Sequence, residues 1–247
     1  MDRGDGKGER DVVYVGRYHA DRYGQSISGT KNYILGNSLT QNRAIAKKVG
    51  SYVMDMATRM TIQMLYLVEF ANWDAQVVLG WGGGNGKERE ATGLTDSMQY
   101  HTGTMQEKFA MPGAGIQYRH IEGLWETISE MLDGCYQGND KSLYITLNPN
   151  NYADRTKYTL VGTNLVSAYP KYLNVSEVEH YNWALYNTSP STGSWATYIC
   201  DYQNYDTEQP SLSYGSGYVY SRNRGMFNIM TNIDGNAWVG YRSVILP

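Results

Sequence analysis

Four acidic residues recur at intervals of three or four along one segment: Glu122, Glu126, Glu130 and Asp133. On a helix this spacing would place the three glutamates on one face. Their oxygens could then bind Ca²⁺, which takes about six to eight oxygen ligands, or a pair of them could act as general acid and base. An acidic face exposed to solvent has the same spacing, and it is the simpler interpretation.

Sequence patterns for other catalytic chemistry are incomplete. The histidines are isolated from one another in the sequence: His19, His101, His120 and His180. They form neither His-x-x-x-His nor His-Glu-x-x-His, and no Gly-x-Ser-x-Gly nucleophile motif occurs. The glycine-rich run at 82–87 is similar to a phosphate-binding loop, but Trp81 and Glu88 stand where that motif needs Gly and Ser or Thr. We therefore expect a surface loop there, and a protein without enzyme activity, bound metal or cofactor.

The last third of the chain is rich in residues that make protein contacts. Tyr, Asn, Ser and Gly predominate between Tyr202 and Trp238, and no lysine follows Lys171. Tyrosine supplies a large, rigid, amphipathic contact area, while Ser, Gly and Asn supply adaptable hydrogen bonds. This composition is typical of an antibody-like contact surface, although a tyrosine-rich β region with ordinary loops has a similar composition.

Overall composition narrows the class of protein. The 247 residues carry a formal net charge of −3 without a Lys/Arg cluster, so we expect no nucleic-acid partner. The sequence has no apolar run of transmembrane length and no apolar signal-peptide core, so we expect no membrane insertion. Cys135 and Cys200 are too few for a zinc site and are expected to be buried thiols, with a disulfide between them as the alternative in an oxidising medium.

Helix signals are concentrated in the N-terminal half. Residues 1–11 mix glycine with alternating charge, which predicts a disordered or added tail followed by a single domain over 12–247. Thr40 is a suitable N-cap for a short helix that ends at Lys48. Asp55 is a suitable N-cap for a second helix through Phe70, whose methionines recur at helical spacing and predict burial on most sides.

Strand signals follow the helices. After an early β-branched run at 12–15, short apolar or alternating runs occur at 143–147, 158–161 and 195–200, separated by Asn, Asp, Pro and Gly. Helices early and strands late predict an α+β fold with two helices in the N-terminal half. A mainly antiparallel sheet with long loops is expected toward the C-terminus.

Several motifs resemble those of a known superfamily. Residues 121–134, Ile-Glu-Gly-Leu-Trp-Glu-Thr-Ile-Ser-Glu-Met-Leu-Asp-Gly, resemble the Leu-Trp-Gly-Asn-Val-Trp-Glu-Trp-Val-Asp-Gly segment of the formylglycine-generating-enzyme type of C-type-lectin fold. Residues 239–247 are similar to its closing Gly-Phe-Arg-Leu-Val strand, and 215–218 and 225–227 to its paired Gly-Gly-x-Trp and Gly-x-Phe elements. Residues 15–19 and 54–73 resemble prophage-encoded variable proteins, the targets of diversity-generating retroelements. The resemblance covers most of 12–247.

This resemblance implies a fixed lectin-type scaffold that carries a variable, ligand-binding region at about 183–240. In the family, adenine-directed mutagenesis changes codons near the C-terminus, and Asn, Tyr, Asp and Ser are common outcomes. Large rings and glycines would form the scaffold: Trp183, Trp195, Trp238, Gly215, Gly225 and Phe227. The variable contact surface would comprise Tyr186, Asn187, Tyr202, Asn204, Tyr205, Asp206, Tyr218, Tyr220, Arg222, Asn223, Arg224, Asn228 and Asn232.

The partner implied is a protein or glycan on a target cell surface, and an oligomer is compatible with this function. The protein would be located on a phage tail or on the bacterial surface. One alternative is a structural tail or virion component. Another is an enzyme of the formylglycine-generating type, but that chemistry uses a pair of reactive cysteines near the C-terminal half, where only Cys200 is found.

Overall fold

The computed structural model describes residues 2–31, 33–80, 91–105, 115–125, 128–189, 193–197, 199–206, 211–214, 224–232 and 239–247, without the side chain of Asn232. Within these ranges the helices are α1 (Leu39–Lys48), α2 (Met56–Phe70) and α3 (Ala75–Leu79). The strands of the first half are β1 (Tyr14–Val15), β2 (Tyr52–Val53), β3 (Gly103–Thr104), β4 (Ile116–Tyr118), β5 (Ile121–Glu122), β6 (Ser129–Met131), β7 (Cys135–Gln137) and β8 (Leu143–Ile145). The later strands are β9 (Thr159–Gly162), β10 (Asn174–Val175), β11 (Leu185–Tyr186), β12 (Gln203–Asn204), β13 (Ser211–Tyr214), β14 (Ile229–Asn232), β15 (Val239–Gly240) and β16 (Ser243–Ile245). Two 3₁₀ turns, Pro149–Asn151 and Arg155–Lys157, precede β9.

The strands form small sheets, most of whose pairings are antiparallel. The largest sheet described has the order β12-β14-β13-β6-β15 and includes two parallel pairs, β12 with β14 and β6 with β15. Three-stranded sheets have the orders β1-β16-β2, β3-β4-β5 and β7-β8-β9, and β10 pairs with β11. The predicted α+β class with helices early in the chain is therefore confirmed.

Side-chain caps determine where the helices begin. Ser38 caps α1 in a reciprocal capping box with Gln41, so the predicted cap at Thr40 is wrong by two residues. The predicted helix from Asp55 to Phe70 is confirmed, since the Asp55 carboxylate accepts a 2.8 Å hydrogen bond from the Thr58 amide. Helix α3 was not predicted, because its five residues are too few to show a periodic pattern.

Helix α2 packs one face against the main core. Met56, Met60 and Tyr66 are buried, and the Tyr66 ring meets the Phe227 ring at 5.8 Å. The opposite face of its second half is open to solvent, since Val68 is 86% exposed. The prediction of burial on most sides is therefore wrong for that half of the helix.

The N-terminal tail is folded, so its predicted disorder is wrong for residues 2–11. The Arg3 side chain is buried and pairs with Asp55 at 2.8 Å, and it also donates to the Thr58 hydroxyl. Arg10 donates to the carbonyl oxygen of Pro247 at 2.8 Å. The tail owes its order to these long-range contacts, which a local excess of glycine and charge does not reveal.

The predicted strand at 195–200 is also wrong for the residues described there, 195–197, 199 and 200. Residues 195–197 lie in a turn, and the Thr197 amide bonds back to the Ser194 carbonyl oxygen. Trp195 is 46% exposed and therefore does not serve the core as predicted, whereas Trp183 packs partly buried against it. Cys135 and Cys200 are buried free thiols, as expected.

The acidic segment forms strands, not a helix, and its carboxylates are internal. Glu122 lies in β5 and Glu130 in β6, and the Glu122, Glu130 and Asp133 side chains are all buried. Both the helical interpretation and the solvated acidic face are wrong for these three, while Glu126 lies outside the described residues. Glu122 accepts the amides of Gly93 and Thr95, each at 2.8 Å, and so holds a loop in place.

Glu130 is the centre of a buried charge network that joins distant parts of the chain. Its carboxylate lies 2.6 Å from Arg242, 3.2 Å from Arg59 and 3.1 Å from the His19 ring nitrogen. Burial opposes ionisation of Glu130, but Arg242, then His19 and Arg59, outweigh burial and lower its pKa to about 2. Arg59 also donates to the carbonyl oxygens of Leu124 and Met226. Together with its bond to Glu130, these contacts tie α2 to three segments of the chain.

Candidate binding surface

Burial alternates strictly along the segment 201–206. Asp201, Gln203 and Tyr205 are buried, whereas residues 202, 204 and 206 are partly exposed. This alternation is the two-residue period of extended backbone, whose successive side chains point to opposite faces. Asn204 therefore lies on the outer face, beside the partly exposed Met230 with which it is in register in the parallel pair of β12 and β14.

A further extended segment pairs with the outer edge of β12. Ala168 and Gln203 exchange two backbone hydrogen bonds, of 3.0 and 2.9 Å. The Ser167 hydroxyl accepts the amide of Tyr205 at 2.8 Å and lies 3.5 Å from the side-chain oxygen of Asn204. Ser167 and its neighbour Tyr169 were missed because the predicted variable region began at about 183.

Aromatic rings extend the outer face. The rings of Tyr169 and Tyr202 meet edge to face at 5.1 Å, and both residues are partly exposed. The Val166 amide donates to the carbonyl oxygen of Asn187, and the Asn187 side-chain amide donates to the carbonyl oxygen of Val166. These bonds place the end of β11, with the partly exposed Tyr186, beside the segment that contains Ser167 and Tyr169. We call Ser167, Tyr169, Tyr202, Asn204 and Asp206 the outer patch.

Three predicted contact residues lie in the interior, so their assignment to an exposed surface is wrong. Tyr205 is 5% exposed, and its hydroxyl donates to the side-chain oxygen of Gln203 at 3.2 Å. Asn187 and Asn228 are buried and donate to the backbone carbonyl oxygens of Val166 and Tyr202, respectively. Buried amides that bond to backbone stabilise loops, and a ligand has no access to them.

The other predicted residues divide into two groups. Arg224 is partly exposed at the start of the turn that leads to β14. Outside the described residues lie Tyr218, Tyr220, Arg222, Asn223, the Asn232 side chain, Gly215 and Trp238. The glycine-rich run at 82–87 also lies outside them.

A buried carboxylate anchors the turn beneath this surface. Asp201 accepts the amides of Gly225 at 2.6 Å and Phe227 at 2.8 Å. A Cβ atom on Gly225 would lie 2.6 Å from an Asp201 carboxylate oxygen, so glycine is required by close approach. Burial raises the pKa of Asp201 to about 7, although the amide hydrogen bonds act in the opposite direction.

The underside of the same turn is held by α2. The carbonyl oxygen of Met226 accepts hydrogen bonds from Gln63 at 2.7 Å and from Arg59 at 3.1 Å. The inward half of the 201–206 segment and the 225–227 turn therefore share one rigid support. The outward side chains lie on the other face of this segment, where Asn204 is near the Ser167 hydroxyl and the Tyr202 ring meets that of Tyr169.

The outer patch is suited to non-covalent recognition. It offers amide, carboxylate and hydroxyl groups for hydrogen bonds, together with two phenol rings for contact area. In the described part of the chain, no group of three or more His, Cys, Asp and Glu side chains is placed to hold a metal ion.

No protein-family model and no curated protein matches this sequence. None of the helices in the described ranges combines the length and apolar character needed to cross a bilayer.

Proposed function

We propose that this chain is a ligand-binding variable protein with a C-type-lectin fold, of the kind diversified by retroelements. Its outer patch would bind a protein or glycan on a target cell surface, from a phage tail or from the bacterial surface. The alternation of burial over 201–206 is the observation that carries this proposal. It separates side chains that hold the scaffold from side chains that can be exchanged without disturbing it.

The positions of the resembling motifs support the proposal. Residues 121–134 and 239–247 lie more than a hundred residues apart in the sequence. In the fold they meet, because β15 pairs with β6 and Arg242 binds Glu130. The middle motif at 225–227 is joined to them through Arg59. One buried network thus connects the three described motifs that resemble the C-type-lectin fold of the formylglycine-generating type.

The chemistry of the outer patch also supports recognition. Tyrosines are enriched among residues that dominate interface energies, because a ring buries much area at small entropic cost. Tyr202 and Tyr169 would be the anchors, and Asn204, Asp206 and Ser167 would adapt their hydrogen bonds to the partner. A change at Asn204 should cost the scaffold less than about 0.5 kcal/mol, whereas a change at Ser167 would also remove its hydrogen bond with the Tyr205 amide.

The DNA around the gene provides a direct test. We expect a reverse transcriptase gene beside a near-copy of the 3′ coding end that differs from it at adenines. The differing codons should include those for Tyr202, Asn204 and Asp206, and should spare those for Asp201 and Phe227. Absence of the near-copy, or differences spread equally over both groups of codons, would refute the proposal.

Two matched libraries test the same division without knowledge of the ligand. One library randomises codons 202, 204 and 206, and the other randomises codons 201, 203 and 205. We expect most members of the first library to remain folded and protease-resistant, and most members of the second to be degraded. Equal survival would mean that the outward positions are not specially exchangeable.

A further inference from the structure

A concave site separate from the outer patch lies between α1 and the 3₁₀ turn at Pro149–Asn151. It is a cavity of about 470 Å³ that opens to solvent. Its walls include Arg43, Lys47, Tyr52, Asp133, Asn150 and Tyr152. This volume is within the range of about 300 to 1,000 Å³ that is usual for small-molecule sites. None of these residues belongs to the outer patch.

The charges on its walls favour an anion. Arg43 and Lys47 are four residues apart on α1 and therefore project from the same side of the helix. The buried Asp133 is neutralised by Arg43, which donates two hydrogen bonds of 2.8 and 2.6 Å, and it also accepts the Gly134 amide. Two cations against one paired carboxylate leave the cavity walls with a net positive charge.

Lys47 is the group able to meet a ligand's charge. It lies on the exposed side of α1, and the described residues include no ion pair made by its ammonium group. Arg43 has a different role: the fork of hydrogen bonds to Asp133 fixes the plane of its guanidinium on the cavity wall. A mobile cation beside a fixed one can follow an anionic group as it enters.

The cavity also has an aromatic corner. The rings of Tyr52 and Tyr152 meet edge to face, with centroids 6.4 Å apart and planes at 82°. Tyr152 is buried and Tyr52 partly exposed, so the corner is rigid at its base and accessible at its mouth. Two perpendicular rings offer an apolar surface to a flat organic group.

We propose that this cavity binds a small organic anion, a phosphate or carboxylate carried on a ring-sized apolar body. The anionic group would bind at Lys47 and Arg43, and the ring would pack against Tyr52 and Tyr152. The proposal is independent of the function of the outer patch, because it uses different residues on a different part of the molecule.

Calorimetric titration of the full chain with phenyl phosphate, inorganic phosphate and benzyl alcohol tests the proposal. Phenyl phosphate should bind saturably, and more tightly than either of the other two probes, because it alone combines charge with a ring. Lys47→Gln should weaken binding of phenyl phosphate by about tenfold or more, since a hydrogen bond to a charged group contributes about 1.5–3 kcal/mol. Lys48→Gln is the matched control, because this neighbouring lysine does not line the cavity, and its effect should be less than about twofold.

Three results would overturn the proposal. The first is no saturable heat with phenyl phosphate at millimolar concentration. The second is equal weakening by the two lysine variants, which would indicate attraction by overall charge. The third is benzyl alcohol binding as tightly as phenyl phosphate, which would exclude a role for the anion.

Discussion

Replacing Glu130 by Gln should test whether the buried charge network supports the whole scaffold. The substitution keeps the shape of the side chain and removes its charge. Arg59 and Arg242, both fully buried, would then lack their shared counter-ion. Removing one partner from a buried ion pair costs about 3–5 kcal/mol, because the charge left behind is unsolvated.

The pKa of Glu130 gives a second route to the same magnitude. Its pKa is lowered from 4.5 to about 2. That shift corresponds to about 3 kcal/mol at neutral pH, since one pKa unit is worth about 1.4 kcal/mol. For a chain of this size we expect the melting temperature to fall by roughly 6–20 °C, because 1 kcal/mol corresponds to about 2–4 °C.

Urea denaturation at several pH values is the appropriate assay. A lowered carboxylate pKa gives stability that is present above the unfolded-state pKa, near 4.5, and is lost as the pH falls through about 2. The difference in unfolding free energy between wild type and Glu130→Gln should therefore have its full value at pH 6 and should shrink as the pH is lowered toward 2. Glu179→Gln is the control, because Glu179 is 90% exposed and its substitution should change the unfolding free energy by less than about 0.5 kcal/mol. Equal effects of the two substitutions, or a difference that does not vary with pH, would refute the role given to the network.

Three further predictions concern the support beneath the outer patch. Tyr205→Ala should lower the unfolding free energy, measured by thermal denaturation, by about 3–5 kcal/mol, because the Tyr205 ring is buried. Asn204→Ala should change it by less than about 0.5 kcal/mol. Comparable losses would remove the distinction between inward and outward positions. Gly225→Ala should lower the melting temperature by several degrees and speed hydrogen exchange of the Phe227 amide, because the added methyl group would lie 2.6 Å from the Asp201 carboxylate that binds this amide. An unchanged melting temperature would contradict that close approach. Asp201 has a raised pKa of about 7, so its contribution to stability is full below about pH 4 and is lost as the pH rises through 7. Between pH 4 and pH 8, the unfolding free energy of the wild type, measured by urea denaturation, should fall by up to about 4 kcal/mol relative to that of Asp201→Asn. Parallel pH profiles for the two proteins would exclude the raised pKa.

Local signals in the sequence were sufficient for some elements. Asp55 followed by recurring methionines predicts α2 with correct ends, because capping and helical spacing are properties of neighbouring residues. The strands β8 and β9 lie within or beside the predicted runs at 143–147 and 158–161 for a similar reason, since turn residues bound each run. Tyr202, Asn204 and Asp206 are partly exposed, whereas Tyr205, which was placed with them, is buried.

Other features depend on residues far apart in the chain. The carboxylates at 122, 130 and 133 have helical spacing, yet they lie in or beside strands, because their partners are distant in sequence. Glu122 binds the loop amides at 93 and 95, Asp133 binds α1, and Glu130 binds α2 and Arg242, which immediately precedes β16. The tail at 2–11 has the composition of a disordered segment, but Arg3 finds a buried carboxylate at Asp55. A local pattern contains no information about such partners.

By itself, the sequence determined the α+β class, the main helix and the concentration of tyrosine and asparagine in the last third, because these follow from short-range propensity and composition. Only the tertiary structure decided which of those side chains face outward. A two-residue period shows that neighbours point to opposite faces, but not which face is covered. At 201–206 the orientation follows from two tertiary contacts, the hydrogen bond between the Asp201 carboxylate and the Gly225 amide and the pairing of Gln203 with Ala168. With these contacts the odd-numbered side chains are buried and the even-numbered ones are partly exposed.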